Sequence, residues 1–209
     1  MSAEHAVAKS YSEMSRQGVS LTAAPAGERA PKRLIGIMGL ARVGKDTATA
    51  HLCDTYGMES YAFADPIKSM LTGVFGDLFR DGDREAPIDW LGKSPRQLMQ
   101  TLGTEWGREV VHPDLWVLVA DQMWKKYQEI GWGAGVVLSD VRFRNEAEWV
   151  LSQGGLLISL SREGVAAVAT HVSEQNIPFD LANVSLENNG TVEELAAAVT
   201  ATVDARYGG

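Results

Sequence analysis

The chain has 209 residues and a formal net charge of −8 at pH 7, with 45% hydrophobic, 22% charged and 8% aromatic residues. This length and composition are typical of a globular protein with one well-buried core and at most one small added subdomain. The acidic balance argues against a broad nucleic-acid interface, which needs a basic surface. It does not exclude a small anionic ligand, because a few arginines and lysines can bind one locally.

Cysteine content and hydropathy restrict the remaining classes. The single cysteine, Cys53, excludes an internal disulfide and a cysteine-based metal cluster, and the four histidines lack the spacing of metal ligands. No apolar run approaches the ~18–20 residues of a membrane span, and the N-terminus has no signal-peptide pattern. These features predict a cytoplasmic protein without nucleic-acid or membrane partners.

Residues 1–31 differ from the rest of the chain. They mix Ser, Ala, Glu and Gly with little apolar periodicity, and residues 24–31 have the composition of a linker. We therefore expect residues 1–31 to be a flexible N-terminal extension and residues 32–209 to form one folded domain.

From Lys32 onward, short apolar runs alternate with helical patterns. This alternation predicts an α/β fold, in which a parallel sheet is flanked by helices on both faces as a three-layer sandwich. Strands are predicted at residues 34–38, 61–64, 136–138, 156–160 and about 182–186. Helices are predicted at about 45–56, from 65, at 94–109, after 113, at 145–152 and from 191.

Three helix starts carry capping signals. Asp65, followed by Pro66, has the position of an N-cap residue with proline at the first helical position. The segment 94–97, Ser-Pro-Arg-Gln, is a capping box, and Thr191 with Glu194 forms a second one.

The segment after the first predicted strand matches the phosphate-binding pattern G-x-x-x-x-G-K at Gly39, Gly44 and Lys45. It lies between an apolar strand and a helix, where backbone N–H groups and the helix N-terminus converge. The alternative is an ordinary glycine-rich turn. We predict a site for a nucleoside triphosphate, with Lys45 reaching the β- and γ-phosphates. The residues predicted to form it are Gly39, Ala41, Arg42, Val43, Gly44, Lys45, Asp46 and Thr47.

The residue after the lysine departs from the general pattern. It is Asp46 rather than a serine or threonine, whose hydroxyl would bind Mg²⁺, and Thr47 comes next. A carboxylate can hold magnesium directly or through water, although it adds negative charge beside the phosphates. Asp46 is therefore a candidate metal ligand, and the sequence leaves open whether Asp46, Thr47 or neither contacts the ion.

The predicted helix 94–109 has a low polar face. At 100° per residue, one sector holds small and polar residues and the opposite sector holds apolar ones. Two glycines inside a helix each cost about 1 kcal/mol relative to alanine. Because glycine has no side chain, a ligand or another helix can approach this face closely. The alternative is a solvated face with two weak positions. The polar sector contains Gln100, Gly103, Thr104, Gly107 and Arg108, and the apolar sector contains Leu98, Leu102 and Trp106.

Charged residues follow two of the predicted strands. Asp140 ends an apolar strand, where P-loop enzymes place a carboxylate near Mg²⁺, and Arg142 and Arg144 follow at once. Asp65 and Lys68 follow another strand, at the edge of an α/β sheet where ligands bind. A chance salt-bridge cluster is the alternative for the arginines, and a helix cap with a surface lysine is the alternative for Asp65 and Lys68.

Together these segments resemble the phage-type deoxynucleoside monophosphate kinases, within the adenylate-kinase-like P-loop kinases. The resemblance covers about residues 34–195, and Gly-Lys-Asp is common in that family. It is carried by segments 39–47, 63–68, 95–108, 140–146, 171–174 and 188–195 in this order.

The resemblance implies transfer of the γ-phosphoryl group of ATP to a deoxynucleoside 5′-monophosphate, with Mg²⁺ as cofactor. It implies a helical acceptor-binding region at about 65–130 and a small lid at about 162–175, with Arg162 as the lid cation and His171, Ser173 and Glu174 as its motif. Family members often dimerise, so a homodimer is one expectation, and the location is the host cytoplasm if the chain is encoded by a phage.

The predicted roles divide into three groups. The predicted catalytic residues are Lys45, Arg108, Asp140, Arg142 and Arg162. The predicted acceptor-binding residues are Asp65, Lys68, Gln100, Thr104, Trp106, Arg108, Arg142 and Arg144. The predicted metal ligands are Asp46 and Asp140.

Two other functions share parts of this pattern. A kinase of another phosphorylated metabolite, such as dephospho-coenzyme A, would share the P-loop, the lid and the closing Asn-Gly-Thr helix. It would not need the segment 100–108, which therefore favours a nucleotide acceptor. A P-loop switch without an acceptor would show slow hydrolysis only. The sequence does not indicate which bases are accepted.

Overall fold

The computed structural model describes residues 32–80, 82–130, 133–165 and 177–208. The predicted N-terminal extension and the lid residues His171, Ser173 and Glu174 lie outside these ranges. Within the ranges, no helix combines the length and the apolar character needed to cross a bilayer.

The centre of the fold is a five-stranded sheet with the order β2-β3-β1-β4-β5. Every neighbouring pair is parallel, and the register aligns Gly36 with Leu138 and Met38 with Ser159. The predicted α/β class with a parallel sheet is confirmed. The strands are β1 (Arg33–Met38), β2 (Glu59–Tyr61), β3 (Gly135–Leu138), β4 (Leu156–Ser161) and β5 (Val184–Glu187).

The three central strands are almost fully buried, as expected for parallel strands covered on both faces. The edge strand β5 instead alternates, with Val184 and Leu186 half-buried and Ser185 and Glu187 exposed. Since the carboxyl ends of all five strands point the same way, the loops that follow them meet along one edge of the sheet.

Helices cover both faces of the sheet and form two separate cores. On one face, Ile35 and Ile37 of β1 belong to a cluster that includes Leu52, Val199 and Val203. On the other face, the alternate β1 residues Leu34 and Met38 pack with the tryptophans Trp116, Trp124 and Trp149. The helices are α1 (Lys45–Tyr56), α2 (Asp65–Phe75), α3 (Asp77–Arg80), α4 (Pro95–Gln100), α5 (Leu115–Ile130), α6 (Arg144–Ser152) and α7 (Val192–Tyr207).

The second strand lies earlier than predicted. It spans Glu59–Tyr61 rather than 61–64, and its ladder ends where the backbone N–H of Ser139 donates to Tyr61 O at 3.1 Å. Phe63 is buried because it packs in the core beneath the turn that leads into α2, and not because it belongs to a strand. The prediction of Asp65 as N-cap is also wrong, because Ala64 occupies that position and the Asp65 carboxylate accepts the N–H of Ala62 at 2.7 Å.

The helix predicted at 94–109 is α-helical only over its first part. Its capping box is confirmed, since Ser94 Oγ accepts the N–H of Gln97 and Gln97 Oε1 accepts the N–H of Ser94. After Gln100 the chain continues as a π-helical segment, Thr101–Val111. Such segments are rare and usually a single turn long, because i→i+5 bonding widens the helix. The second capping box, at Thr191 and Glu194, is confirmed at the start of α7.

The two glycines of the π-helical segment face α2 and α5. A Cβ atom on Gly107 would lie 2.7 Å from the Trp116 ring, and one on Gly103 would lie 2.9 Å from Ile67 Cδ1. Trp116 Nε1 also donates to Gly103 O at 2.7 Å. Packing against neighbouring helices therefore accounts for both glycines.

Candidate active site

The P-loop connects the carboxyl end of β1 to α1. Its backbone has positive φ angles at Gly39 (150°), Arg42 (67°) and Gly44 (101°). A side chain at Gly39 would bring a Cβ atom to 2.5 Å from the carbonyl oxygen of Leu160. The loop then enters α1 at Lys45. The two glycines of the pattern are thus required by backbone geometry, and the N-terminus of α1 faces the space above the sheet edge.

A cleft of about 290 Å³ opens at this loop. Three cationic side chains contribute to its wall, together with one carboxylate. Arg162 is the residue directly after β4. Because β4 pairs with β1, the sheet topology brings Arg162 beside the P-loop. The residues lining the cleft are Arg42, Gly44, Lys45, Asp46, Thr47 and Arg162.

Lys45 is folded back over the loop. Its Nζ donates to the carbonyl oxygens of Gly39 at 2.9 Å and Leu40 at 2.7 Å. These contacts hold the ammonium group at the cleft wall. A ligand phosphate oxygen would exchange with the carbonyls, so the lysine is held near the place where it would bind phosphate.

Asp140 and Arg142 form an ion pair on the loop after β3. Arg142 Nε lies 2.6 Å from Asp140 Oδ1, and both side chains are about one-third exposed or less. The N–H of Val141 donates to Ile37 O at 3.0 Å, which holds this loop against the end of β1. The loop therefore lies at the same sheet edge as the P-loop, and its carboxylate and guanidinium are positioned there together.

Arg108 of the π-helical segment is bound to the helix that follows this loop. Its Nη2 donates to Glu146 Oε1 at 2.8 Å, its Nη1 donates to Gly103 O at 3.3 Å, and its Cζ lies 4.0 Å from the centre of the Phe143 ring. The other Glu146 oxygen, Oε2, accepts the N–H groups of Arg142 at 2.9 Å and Phe143 at 3.1 Å. The carboxylate thus joins the π-helical segment to the loop after β3.

Glu146 is only 1% exposed, and this burial raises its pKa to about 7. The N–H of Arg142, the charge of Arg108 and the N–H of Phe143 act in the opposite direction by favouring the ionised form. Burial also lowers the pKa of Arg108 below its ordinary value, opposed by Glu146.

This pKa makes stability depend on pH. Between the ordinary pKa of 4.5 and about 7, the folded state holds a proton on Glu146 that the unfolded chain has released. The contribution of Glu146 to the unfolding free energy should therefore fall as pH rises through this window, by on the order of 1 kcal/mol per pH unit. Urea unfolding at several pH values should show this fall as the difference between the wild type and Glu146→Gln. A difference that grows in favour of the wild type with rising pH would contradict it.

Arg144 makes contacts in a different direction. Its guanidinium binds both carboxylate oxygens of Asp180, at 2.8 to 3.2 Å, and its Nε lies 3.2 Å from Glu148. All three side chains are more than half exposed. Arg144 thus links α6 to the short 3₁₀ turn Phe179–Leu181 through surface ion pairs, and its role in acceptor binding stays a prediction.

The remaining predicted acceptor residues lie on α2, α4 and the π-helical segment. Lys68 Nζ lies 3.0 Å from Asp65 Oδ1, with both side chains about two-fifths exposed. Gln100 is exposed, Thr104 is half-buried, and the Trp106 ring is 41% exposed with its centre 6.5 Å from that of Trp116. Their roles in binding stay predictions.

Two polar residues at the site were given no role from the sequence, although both lie in segments that carry the resemblance. One is Glu146, and the other is Asn188, which follows β5 and is 7% exposed. Asn188 Nδ2 donates to Val43 O at 2.9 Å, and a Cβ atom on Gly44 would lie 2.5 Å from it. The neighbouring Asn189 Oδ1 accepts the N–H of Glu163 at 2.8 Å. For the two asparagines, the available signal was their position directly after β5, at the sheet edge where the P-loop lies.

We expect Asn188→Ala to weaken the P-loop. The Val43 carbonyl loses its partner in a buried position, which should lower the unfolding free energy by about 1–3 kcal/mol. Because the same contact supports the loop next to Gly44, the KM for the donor nucleotide should also rise. Thermal denaturation measures the first effect and titration with the donor nucleotide measures the second. The control is Asn183→Ala, which removes another asparagine side chain, one whose Oδ1 accepts the N–H of Leu157 in β4. Equal donor KM in both variants would contradict the supporting role.

The site also fits a magnesium ion held partly by phosphate. Within the described ranges, no group of three or more His, Cys, Asp or Glu residues could hold a metal ion by itself. The oxygen groups of Asp46 and Thr47 nevertheless line the cleft beside Lys45. Mg²⁺ usually binds through one or two carboxylates together with substrate phosphates and water, so this sparse oxygen set suits it.

Comparison with known proteins finds relatives by sequence and a shared fold among solved structures. A putative deoxynucleotide monophosphate kinase of Acanthamoeba polyphaga mimivirus is 34% identical over 194 residues, covering 82% of this chain and 96% of the relative. The deoxynucleoside-5′-monophosphate kinase of Escherichia phage T5 is 33% identical over 92 residues, covering 41% of this chain and 35% of its own. Shikimate kinase from Aquifex aeolicus shares the fold, with a TM-score of 0.50, 14% identity and coverage of 82% of this chain and 96% of the kinase.

The family model for deoxynucleotide monophosphate kinase matches residues 33–88 and 89–199, which include β1, the P-loop, the π-helical segment and the loop after β3. The matched region therefore contains the cleft and the Arg108–Glu146 contact described above. Since both the family model and the mimivirus relative extend over most of the chain, it belongs to the deoxynucleotide monophosphate kinase family.

Proposed function

We propose that this chain transfers the γ-phosphoryl group of ATP to the 5′-phosphate of a deoxynucleoside monophosphate, giving the diphosphate and ADP. The observation that supports this most directly is the P-loop cleft, in which Arg42, Lys45 and Arg162 meet at the carboxyl edge of a parallel sheet. Membership of the deoxynucleotide monophosphate kinase family supports the same reaction class and a nucleotide acceptor.

The P-loop would hold the donor. Transfer of a phosphoryl group depends on positioning and charge neutralisation more than on covalent chemistry. Backbone N–H groups at the start of α1 would bind the phosphates, and Lys45 would exchange its contacts with Gly39 O and Leu40 O for the β- and γ-phosphate oxygens. Arg162 and Arg42, on the cleft wall, would neutralise further negative charge.

The cleft would hold magnesium next to the donor. When bound, Mg²⁺ supplies charge neutralisation at the β- and γ-phosphate oxygens. Asp46 and Thr47 would hold it from the P-loop, directly or through water. Asp140 would hold it from the loop after β3, with its contact to Arg142 loosened, and the Arg142 guanidinium would then turn toward phosphate.

The acceptor would lie against the π-helical segment. Arg108 and Arg142 would hold its phosphate in line with the donor, and Asp65, Lys68 and Arg144 would make further contacts with the acceptor. Exclusion of water by the lid, predicted at 162–175, would prevent hydrolysis of ATP. The residues proposed to border the nucleoside are Gln100, Thr104 and Trp106.

A coupled assay of ADP release tests the proposal. The full chain is given Mg-ATP and each deoxynucleoside monophosphate in turn, with dephospho-coenzyme A and a sample without acceptor as controls. Strong stimulation by one or more nucleotides is expected and would also reveal the base preference. Turnover that is independent of acceptor, or stimulated only by dephospho-coenzyme A, would contradict it. Light scattering during size-exclusion chromatography of the same preparation tests the predicted homodimer.

A further inference from the structure

Glu146 is the one charged side chain that the described part of the fold buries almost completely. Burying a carboxylate is costly even with a partner, and a buried ion pair is often no more stabilising than apolar residues of similar volume. Stability is therefore a weak explanation for a carboxylate at this position. Its contacts indicate a different use.

The two oxygens of Glu146 bind different parts of the site. Oε1 binds Arg108 of the π-helical segment, and Oε2 binds the backbone of Arg142 and Phe143 in the loop after β3. These two parts of the chain are separated by more than 30 positions in sequence. One carboxylate therefore fixes the distance between a side chain on the acceptor side and the loop that carries Asp140.

The contacts restrain Arg108 without using all of its donors. Glu146 and Gly103 O accept from its two terminal nitrogens, and the Phe143 ring lies against the face of the guanidinium. A guanidinium has five N–H donors, of which these two hydrogen bonds use two. The side chain is still 18% exposed, so an anion can reach it.

We propose that Glu146 is a positioning residue, which holds the Arg108 guanidinium against the loop 140–142 so that the acceptor phosphate is bound at a fixed distance from that loop. The proposal rests on the proposed function, in which Arg108 and Arg142 bind the acceptor phosphate. In-line transfer is sensitive to such spacing, because a displacement of about 1 Å can cost on the order of 10²-fold in rate.

Glu146→Gln separates positioning from folding. Its amide oxygen can still accept the N–H groups of Arg142 and Phe143, while its amide nitrogen, a donor, would face the Arg108 donors. The KM for the deoxynucleoside monophosphate should rise by about tenfold or more, which matches the loss of one charge-assisted hydrogen bond. The KM for ATP should stay within about twofold, because the P-loop is not touched.

Asp121→Asn is the matched control. It neutralises a different, partly buried carboxylate. Asp121 lies on α5, where it binds Lys125, and it accepts from Trp149 Nε1 of α6. A merely structural effect of neutralising a carboxylate beside α6 would appear in both variants. The acceptor KM should rise only in Glu146→Gln.

Phe143→Leu provides a second route that leaves the buried charge in place. It removes the ring that lies 4.0 Å from Arg108 Cζ and keeps an apolar side chain there. A contact of this type contributes enough to raise the acceptor KM by about two- to tenfold, again without changing the KM for ATP. This variant decides the question if Glu146→Gln does not fold.

A double variant tests whether Glu146 acts through Arg108. In an Arg108→Met background, Glu146→Gln should not raise the acceptor KM further, since the group that it positions is absent. Equal effects in both backgrounds, an unchanged acceptor KM in both single variants, or an equal rise in both substrates' KM would overturn the positioning role. If the wild type shows no acceptor-dependent turnover, the proposed function fails first and the positioning role fails with it.

Discussion

Replacing Lys45 with methionine is expected to lower kcat for phosphoryl transfer by about 10²–10³-fold, as for the loss of one preorganised charge-stabilising donor. The reason is that Lys45 Nζ is held at the cleft wall by Gly39 O and Leu40 O, where it would meet the transferring phosphate. Methionine keeps the unbranched stem, so the fold should stay intact by circular dichroism. Single-turnover and steady-state assays with Mg-ATP and the best acceptor measure the effect.

The matched control for Lys45 is Lys125→Met. It removes an exposed lysine of α5 that is paired with Asp121, outside the cleft. The kcat and KM of this variant should equal those of the wild type, because Lys125 does not line the cleft. Its stability should change little, because exposed ion pairs contribute ~0–1 kcal/mol. Normal turnover by Lys45→Met would remove the P-loop from the reaction.

Replacing Arg108 with alanine should damage both catalysis and stability. The acceptor loses its proposed phosphate ligand, so kcat/KM for the deoxynucleoside monophosphate should fall by about 10²-fold. At the same time Glu146, 1% exposed, loses the partner of its Oε1 atom. Breaking a buried pair on one side typically costs about 3–5 kcal/mol, so the unfolding free energy should fall by that order.

The stability effect of Arg108→Ala should depend on pH. Loss of the arginine charge raises the pKa of Glu146 further, because that charge favours the ionised carboxylate. The unfolding free energy of the variant should therefore be closest to that of the wild type at acidic pH, where Glu146 is protonated in both. It should fall furthest below the wild-type value above neutral pH. Arg144→Ala is the control for stability, since its exposed pairs with Asp180 and Glu148 should cost at most about 1 kcal/mol. An effect on ATP binding alone would remove Arg108 from the acceptor site.

Most features with local sequence signals were predicted well, although the N-cap predicted at Asp65 was wrong. The P-loop, α1 and both capping boxes depend on residues within a few positions of one another, and the structure has all of them. The parallel sheet followed from the alternation of apolar runs and helical patterns, because covered parallel strands are apolar on both faces.

Features that depend on distant contacts were not predicted. Phe63 gave an apolar signal like that of a strand, but it is buried in a turn by packing against Trp149, which lies far along the chain. The two glycines of the π-helical segment face Ile67 and Trp116, which belong to other helices. Glu146 and Asn188 acquire their roles from partners 38 and 145 positions away, which no local spacing can indicate.

The π-helical segment also limits which changes in chain length this protein can accept. Adding or removing one residue in a helix turns everything beyond it around the axis, by about 100° in an α-helix. A deletion of Glu105 would rotate Arg108 away from Glu146 and Phe143, although no side chain proposed to bind a substrate had been lost. The exposed residues 82–87, which precede α4 outside any helix or strand, carry no such constraint. Insertions and deletions should accumulate there, while the segment Thr101–Val111 keeps its length even where its surface residues vary.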